Sequence, residues 1–135
     1  MRAFRPTDYN IVANEYTAHY LSDQFIGKVQ MADKRVFEDG KSKAIICFIH
    51  LHENSYYGFF IVSAEFEARC VPKLKECIEQ LASELEAERL ETDSMDCKEL
   101  NHWHKALGFE LEGTKRKAYQ GKDFNIWSIL WERKE

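Results

Sequence analysis

The sequence predicts an α/β fold in which a mixed central β-sheet carries helices on both faces. Three observations lead there. The 135 residues are 44% hydrophobic and 31% charged, a globular composition with enough apolar surface for one continuous core. Short strand-like runs alternate with stretches of helical periodicity along the chain. No repeat, low-complexity tract or linker interrupts them, and the two prolines, Pro6 and Pro72, each stand where an element should begin. Residues 1–135 therefore read as a single domain.

Residues 2–6 read as a short strand, left through the turn Pro6-Thr7-Asp8. From about Asp8 to Phe25, Ile11, Val12, Tyr16, Tyr20, Leu21 and Phe25 recur at helical spacing, and Gly27 is a natural stop. Residues 29–37 suit a strand, followed by the hairpin turn Glu38-Asp39-Gly40-Lys41, because Asp-Gly tolerates positive φ. The segment Lys43 to Glu53 is strand by its Ile45, Ile46, Phe48, Ile49 and Leu51. Asn54-Ser55 then turns the chain into a strand from Tyr56 to Phe66.

The clearest helix runs from Pro72 to about Glu88, with Val71, Leu74, Cys77, Ile78, Leu81, Ala82 and Leu85 on one stripe. Proline in a first turn loses no needed hydrogen bond. Arg89 to Thr92 is a short strand. Asp96 with Glu99 forms a capping box for a second helix ending at Gly108, with Leu100, Trp103 and Leu107 facing inward. Two last strands, 109–119 and 123–132, meet at Gln120-Gly121-Lys122. The order is β-α-β-β-β-α-β-α-β-β.

The balance of 19 basic and 23 acidic residues, net −4, leaves no basic stripe for nucleic acid. Only the run Lys115, Arg116, Lys117 offers a local phosphate contact. The N-terminal residues lack the apolar core of a signal peptide, and the longest apolar run, Ala44 to Ile49, is too short for a bilayer. Cys47, Cys70, Cys77 and Cys97 have no CxxC spacing; Cys70 and Cys77 would sit about 10 Å apart along a helix, beyond disulfide reach. A cytoplasmic protein with reduced thiols and no membrane partner is expected.

The element order and several local stretches resemble the GNAT superfamily of N-acetyltransferases. Phe4-Arg5-Pro6-Thr7-Asp8-Tyr9 looks like that family's first strand and turn. Arg89-Leu90-Glu91-Thr92-Asp93-Ser94, a helix, and Leu107-Gly108-Phe109-Glu110 resemble its fifth strand, fourth helix and sixth strand. Glu112-Gly113-Thr114-Lys115-Arg116 and the terminal Asp123-Phe124-Asn125-Ile126-Trp127-Ser128 also fit.

The resemblance implies transfer of an acetyl group from acetyl-CoA to an amine, on a small molecule or a protein. In the family, a glycine-rich loop opening the third helix lets backbone N–H groups reach the cofactor pyrophosphate. The matching stretch here is Glu67-Ala68-Arg69-Cys70-Val71-Pro72-Lys73, which has no glycine. Pro72 offers no N–H, and Glu67 adds a negative charge. The resemblance thus implies Ala68, Arg69, Cys70, Val71 and Lys73 as the pyrophosphate contacts, with Arg69 and Lys73 acting through their charges. Val62 and Ser63 would meet the acetyl-CoA thioester, near the backbone N–H groups that polarise it. Cys97 stands at the family's helix asparagine, and Asn101, one turn on, is its candidate replacement among the cofactor contacts. His104 stands at the family's tyrosine, the general acid toward the departing thiolate. Glu65, late on its strand, is the general-base candidate.

Plainer readings stand beside these. Glu65 also reads as a solvated strand-end carboxylate, and His104 as a part-buried helix histidine. His50 and His52 share a strand face but lack further ligands at usable spacing for a metal, and alternatively line a substrate cleft. Trp127, Ile129 and Trp131 share one face of the last strand, while Ile126, Ser128 and Leu130 share the other. That strand should be covered on both sides, and a second copy in a homodimer is one candidate cover. A catalytically degenerate GNAT-fold protein with a binding or structural role, of the kind encoded by tailed phages and packaged in some virions, is the alternative function.

Overall fold

The structure, a computed structural model, describes residues 1–6, 8 and 28–133. Most of the helix expected over 8–25, and the glycine expected to end it, lie outside the described residues. The described residues form one mixed seven-stranded sheet in the order β1-β2-β3-β4-β5-β7-β6. Its strands are β1 (Arg2–Ala3), β2 (Asp33–Asp39), β3 (Ser42–His52), β4 (Ser55–Val62), β5 (Arg89–Met95), β6 (Glu110–Tyr119) and β7 (Lys122–Leu130). Two helices follow the expected positions, α1 (Val71–Glu84) and α2 (Lys98–Ala106). Every neighbouring pair is antiparallel except β4 with β5.

Several boundaries differ from expectation. Residues 28–31 are helical, so the strand expected over 29–37 starts at Asp33 instead. Val29 and Ala32, three apart, are both buried against Ile45, Cys47 and Ile61, a helical spacing that overrides any strand pattern there. The strand expected to reach Phe66 stops at Val62, because the backbone turns and the Phe66 N–H donates to Ser63 C=O at 3.2 Å. Helix α1 ends four residues before Glu88: Leu85 caps it, and Glu86 adopts φ 55°. The strand expected to end at Thr92 runs on to Met95.

The capping box does not form. Cys97 occupies the N-cap of α2 without a side-chain bond, and Asp96 is drawn away to accept from Asn101 and Asn125. Gly108, at φ 95°, ends α2 as expected, since a Cβ is strained in that conformation.

The core divides by sheet face. On one face α1 packs Leu74, Ile78, Leu81 and Ala82 against Ile46, Phe48, Leu90 and Trp127, with Leu107 and Phe109 closing the end. Each large apolar side chain buried this way contributes about 1.5–3 kcal/mol. The other face buries Ile45, Cys47 and Ile61 under Val29 and Ala32. All four cysteines are unpaired, and burial pushes the Cys47 thiol up to about 12, so it is chemically inert.

Strand β6 forms a sheet edge and is exposed along nearly its whole length. Irregular pairing at Leu111/Gly113 and Lys115/Tyr119, with Lys117 at φ 50° in the cation run Lys115-Arg116-Lys117, blunts that edge against pairing with another chain. Strand β7 is covered on both faces at Trp127 and Ser128 but leaves Leu130 68% exposed. Among the described residues no helix is long and apolar enough to cross a membrane.

Candidate active site

Strands β4 and β5 start as parallel partners and then separate. Only Ser55, Tyr56 and Tyr57 pair, with Arg89, Leu90 and Glu91. Beyond them β4 pairs with β3 up to Val62, while β5 pairs with β7 up to Met95. The result is a wedge in the middle of the sheet.

Backbone direction within the wedge follows from one bond. The Ser63 N–H donates to Lys43 C=O of the β3 side at 2.9 Å. Amide direction alternates along a strand, so Phe60 and Val62 turn their N–H and C=O groups the other way, toward the wedge. Gly58 lies where the strands part. A Cβ there would meet Leu90 Cδ1 at 2.7 Å, so the glycine lets the two strands lie close before diverging.

A cleft of about 700 Å³ occupies this region, lined by Phe60 and Val62 of β4, Thr92 and Ser94 of β5, and Trp103 and His104 of α2. Ser94 is fixed by Trp127, whose indole N–H donates to its Oγ at 3.1 Å inside the core.

His104 is the titratable group whose environment is most altered here. Its Nδ1 lies 2.7 Å from Leu100 C=O, one helical turn back. A carbonyl only accepts, so Nδ1 carries the hydrogen and Nε2 is left as an acceptor. The ring stacks on Trp127 with centroids 5.3 Å apart and planes at 12°, and meets the edge of Phe109 at 5.6 Å. Burial pushes its pKa below the ordinary histidine value, only partly opposed by the Leu100 bond. A neutral imidazole with Nε2 open to accept is the form a general base needs.

The other expected residues fall into four places. Val62 and Ser63 line the cleft with His104. The Ser63 backbone N–H is committed to β3, and its Oγ donates to Lys41 C=O at 2.9 Å and accepts from the Lys43 N–H at 3.1 Å. Glu65 stands outside the cleft lining, exposed in the turn after β4, 3.9 Å from Lys41. Asn101 donates to Asp96 at 2.8 Å and accepts from the buried Asn125 at 2.9 Å, joining α2 to β5 and β7.

The loop before α1 forms the fourth group. Ala68–Cys70 is a 3-10 turn in which the Cys70 N–H donates to Glu67 C=O and the Val71 N–H to Ala68 C=O. With Pro72 lacking an N–H, three consecutive backbone donors are spent or missing. Arg69 pairs with Asp39 and Glu67, and Lys73 with Asp39.

Tyr57 and Asp93 also line the cleft, and sequence reasoning missed them. The Tyr57 hydroxyl donates to Asp93 Oδ1 at 2.6 Å where the wedge opens. Their meeting depends on the parallel register of β4 and β5, which no pattern within either strand reveals. His50 bonds Glu53 C=O at 2.7 Å, and among the described residues no group of three His, Cys, Asp or Glu side chains could hold a metal.

No family model matches the chain, and no curated protein matches it by sequence. Solved structures do match. A GNAT-family acetyltransferase from Bacillus anthracis aligns at 13% identity and TM-score 0.55 over 64% of this chain, which spans 57% of that protein's length. A chimera of the Vibrio cholerae spermidine N-acetyltransferase SpeG with hSSAT aligns at 14% identity and TM-score 0.68, covering 96% of this chain and 95% of that one. A Bacillus subtilis acetyltransferase in complex with CoA aligns at 9% identity and TM-score 0.69, over 82% and 84% of the two chains. The chain has the fold of the GNAT acetyltransferases.

Proposed function

We propose that this protein transfers an acetyl group from acetyl-CoA to an amine, with the reacting groups meeting in the wedge between β4 and β5. The observation that carries this reading is the cleft itself, where backbone groups of Phe60 and Val62 unpaired by β5 lie near a neutral, half-buried His104. The donor's acyl end suits that cleft, since its amide-rich arm can complete the ladder that β5 leaves open. Acetyl-CoA supplies an activated carbonyl and a thiolate leaving group.

The residues then divide the work. The Val62 N–H supports the negative charge that develops on the carbonyl oxygen. As the amine nitrogen bonds the carbonyl carbon and the carbon–sulfur bond breaks, His104 Nε2 takes the proton from nitrogen and returns it to sulfur. One group thereby serves as base and then acid. Glu65, exposed and beside Lys41, is not required by this scheme. The unpaired cysteines fit a reducing compartment, and we place the activity in the cytoplasm.

One observation favours a second reading, a GNAT-fold protein that binds a partner without catalysis. The donors at residues 70–72 are spent or missing, and Arg69 and Lys73 are neutralised. Calorimetric titration with acetyl-CoA and with coenzyme A separates the two. Micromolar binding, followed by thiol release with a panel of amines, supports the transferase. His104→Gln should then lower kcat about 10²–10⁴-fold while leaving acetyl-CoA affinity nearly unchanged. No heat at millimolar cofactor would sink the transferase and leave the binding role.

A further inference from the structure

The start of α1 carries two cations that the chain itself already occupies. Asp39, the last residue of β2, accepts from Lys73 Nζ at 3.0 Å and from Arg69 Nη1 at 3.4 Å, both through Oδ2. Glu67 takes the remaining side of the guanidinium, at 2.8 Å from Nε and 3.5 Å from Nη2. Lys73 and Arg69 hold the Asp39 carboxyl below its ordinary range, and Glu67 and Asp39 raise the pKa of the Arg69 guanidinium.

The two carboxylates differ in how they arrive. Glu67 immediately precedes the short turn that holds Arg69, so their contact is local. Asp39 comes from the β2–β3 hairpin, 34 residues before Lys73. Its contact can be broken without unwinding α1. Gly40, at φ 60°, follows it directly and gives the hairpin its tight turn.

We propose that Asp39 is an internal competitor for the anionic end of the coenzyme, occupying Arg69 and Lys73 until a phosphate-bearing ligand displaces it. This inference rests on reading the start of α1 as the phosphate end of the donor site. With the Cys70 and Val71 N–H groups spent and Pro72 lacking one, the two cations are the phosphate-binding groups left there, and a carboxylate in that position meets the same two cations. Both pairs are solvent-exposed, with the Arg69 and Lys73 side chains 55% and 60% accessible. Exposed pairs of this kind are weak, so a doubly charged phosphate group can replace Asp39. Displacement would release the β2–β3 hairpin from α1, coupling coenzyme binding to that hairpin.

The test compares the intact protein with Asp39→Asn and with Glu38→Gln, whose partners are Arg2 and Lys43 instead. Each is titrated with coenzyme A, S-acetylpantetheine and inorganic pyrophosphate at fixed salt. Asp39→Asn should tighten coenzyme A and pyrophosphate about 3- to 10-fold, the range expected for removing two exposed pairs. Glu38→Gln should leave both unchanged, and phosphate-free S-acetylpantetheine should not distinguish the three proteins. Equal gains in both variants would reduce the effect to net charge and overturn the proposal, as would no gain in Asp39→Asn. If coenzyme A bound none of them but Asp39→Asn still gained pyrophosphate affinity, the competitor role would stand and the transferase reading would fall. Absence of both ligands from Asp39→Asn would overturn the competitor role.

Discussion

Replacing Gly58 with alanine tests the packing at the apex of the wedge. Gly58 has no left-handed φ, so the backbone accepts a side chain and only space opposes it. The added Cβ would lie 2.7 Å from Leu90 Cδ1, 3.2 Å from Cγ and 3.3 Å from Cδ2. Carbon pairs sit best at about 3.5–4.0 Å, so the nearest contact must open by nearly 1 Å. Leu90 is completely buried and has little freedom to retreat. Overpacking of this kind costs about 1–3 kcal/mol. The stiffer unfolded chain and better strand propensity of alanine offset about 0.5–1 kcal/mol. The net destabilisation lies between about 0 and 2.5 kcal/mol and centres near about 1 kcal/mol, or about 3–5 °C in Tm for a domain of this size. Urea and thermal unfolding followed by circular dichroism measure it directly. Leu90→Ala alone should cost about 2–5 kcal/mol, and in the double variant the new methyl enters the vacated space. The double should therefore cost at least about 1 kcal/mol less than the sum of the singles. A Gly58→Ala variant more stable than the parent, or strict additivity with Leu90→Ala, would refute the claim that this contact requires glycine.

Two pH dependences follow from the perturbed groups. His104 has a folded pKa below the ordinary 6.5, so its contribution to stability is present above 6.5 and lost as pH falls toward the folded value. His104→Gln should flatten the urea midpoint across that window, and acetyl transfer should show an acidic limb centred below 6.5; a limb at or above 6.5 would contradict a half-buried neutral base. The Arg89 hydrogen bond, with help from Ser128, lowers the Glu112 pKa from 4.5 to about 2. Its stabilisation is present above 4.5 and disappears as pH falls through about 2. Glu112→Gln should unfold slightly earlier in urea at neutral pH, by a small margin because the pair is partly exposed and salt-screened, and the gap should close by about pH 2. A gap that persisted there would show that the Arg89 bond is not its source.

Much of the fold is legible along the chain because its cause is local. The stripe Leu74, Ile78, Leu81 announces α1, and Gly40, Gly108 and Gly121 mark turns that demand positive φ. The run Ile45, Ile46, Phe48 announces β3. Errors occur where a distant partner outweighs a local pattern. Asp96 and Glu99 make a capping box on paper, yet the buried Asn125 of β7 recruits Asp96 instead. Val29 and Ala32 belong to a helical turn because Ile45 and Ile61 wait beneath them.

The site divides along the same line. Sequence alone marked His104, the absence of glycine from residues 67–73, and the cations Arg69 and Lys73, since each is a matter of residue type at a position. It left the protonation state of His104 undetermined, because that depends on Leu100 C=O, Trp127 and Phe109 closing around the ring. It also offered Glu65 as a base on strand position alone, whereas the backbone turn after Val62 carries that carboxylate into solvent beside Lys41. The wedge, the Tyr57–Asp93 bond and the capture of Arg69 and Lys73 by Asp39 exist only once strands far apart in sequence are brought into register. Helical periodicity and turn chemistry are short-range properties, written within a few residues. Strand register, burial and charge pairing are long-range ones, and only the tertiary structure decides them.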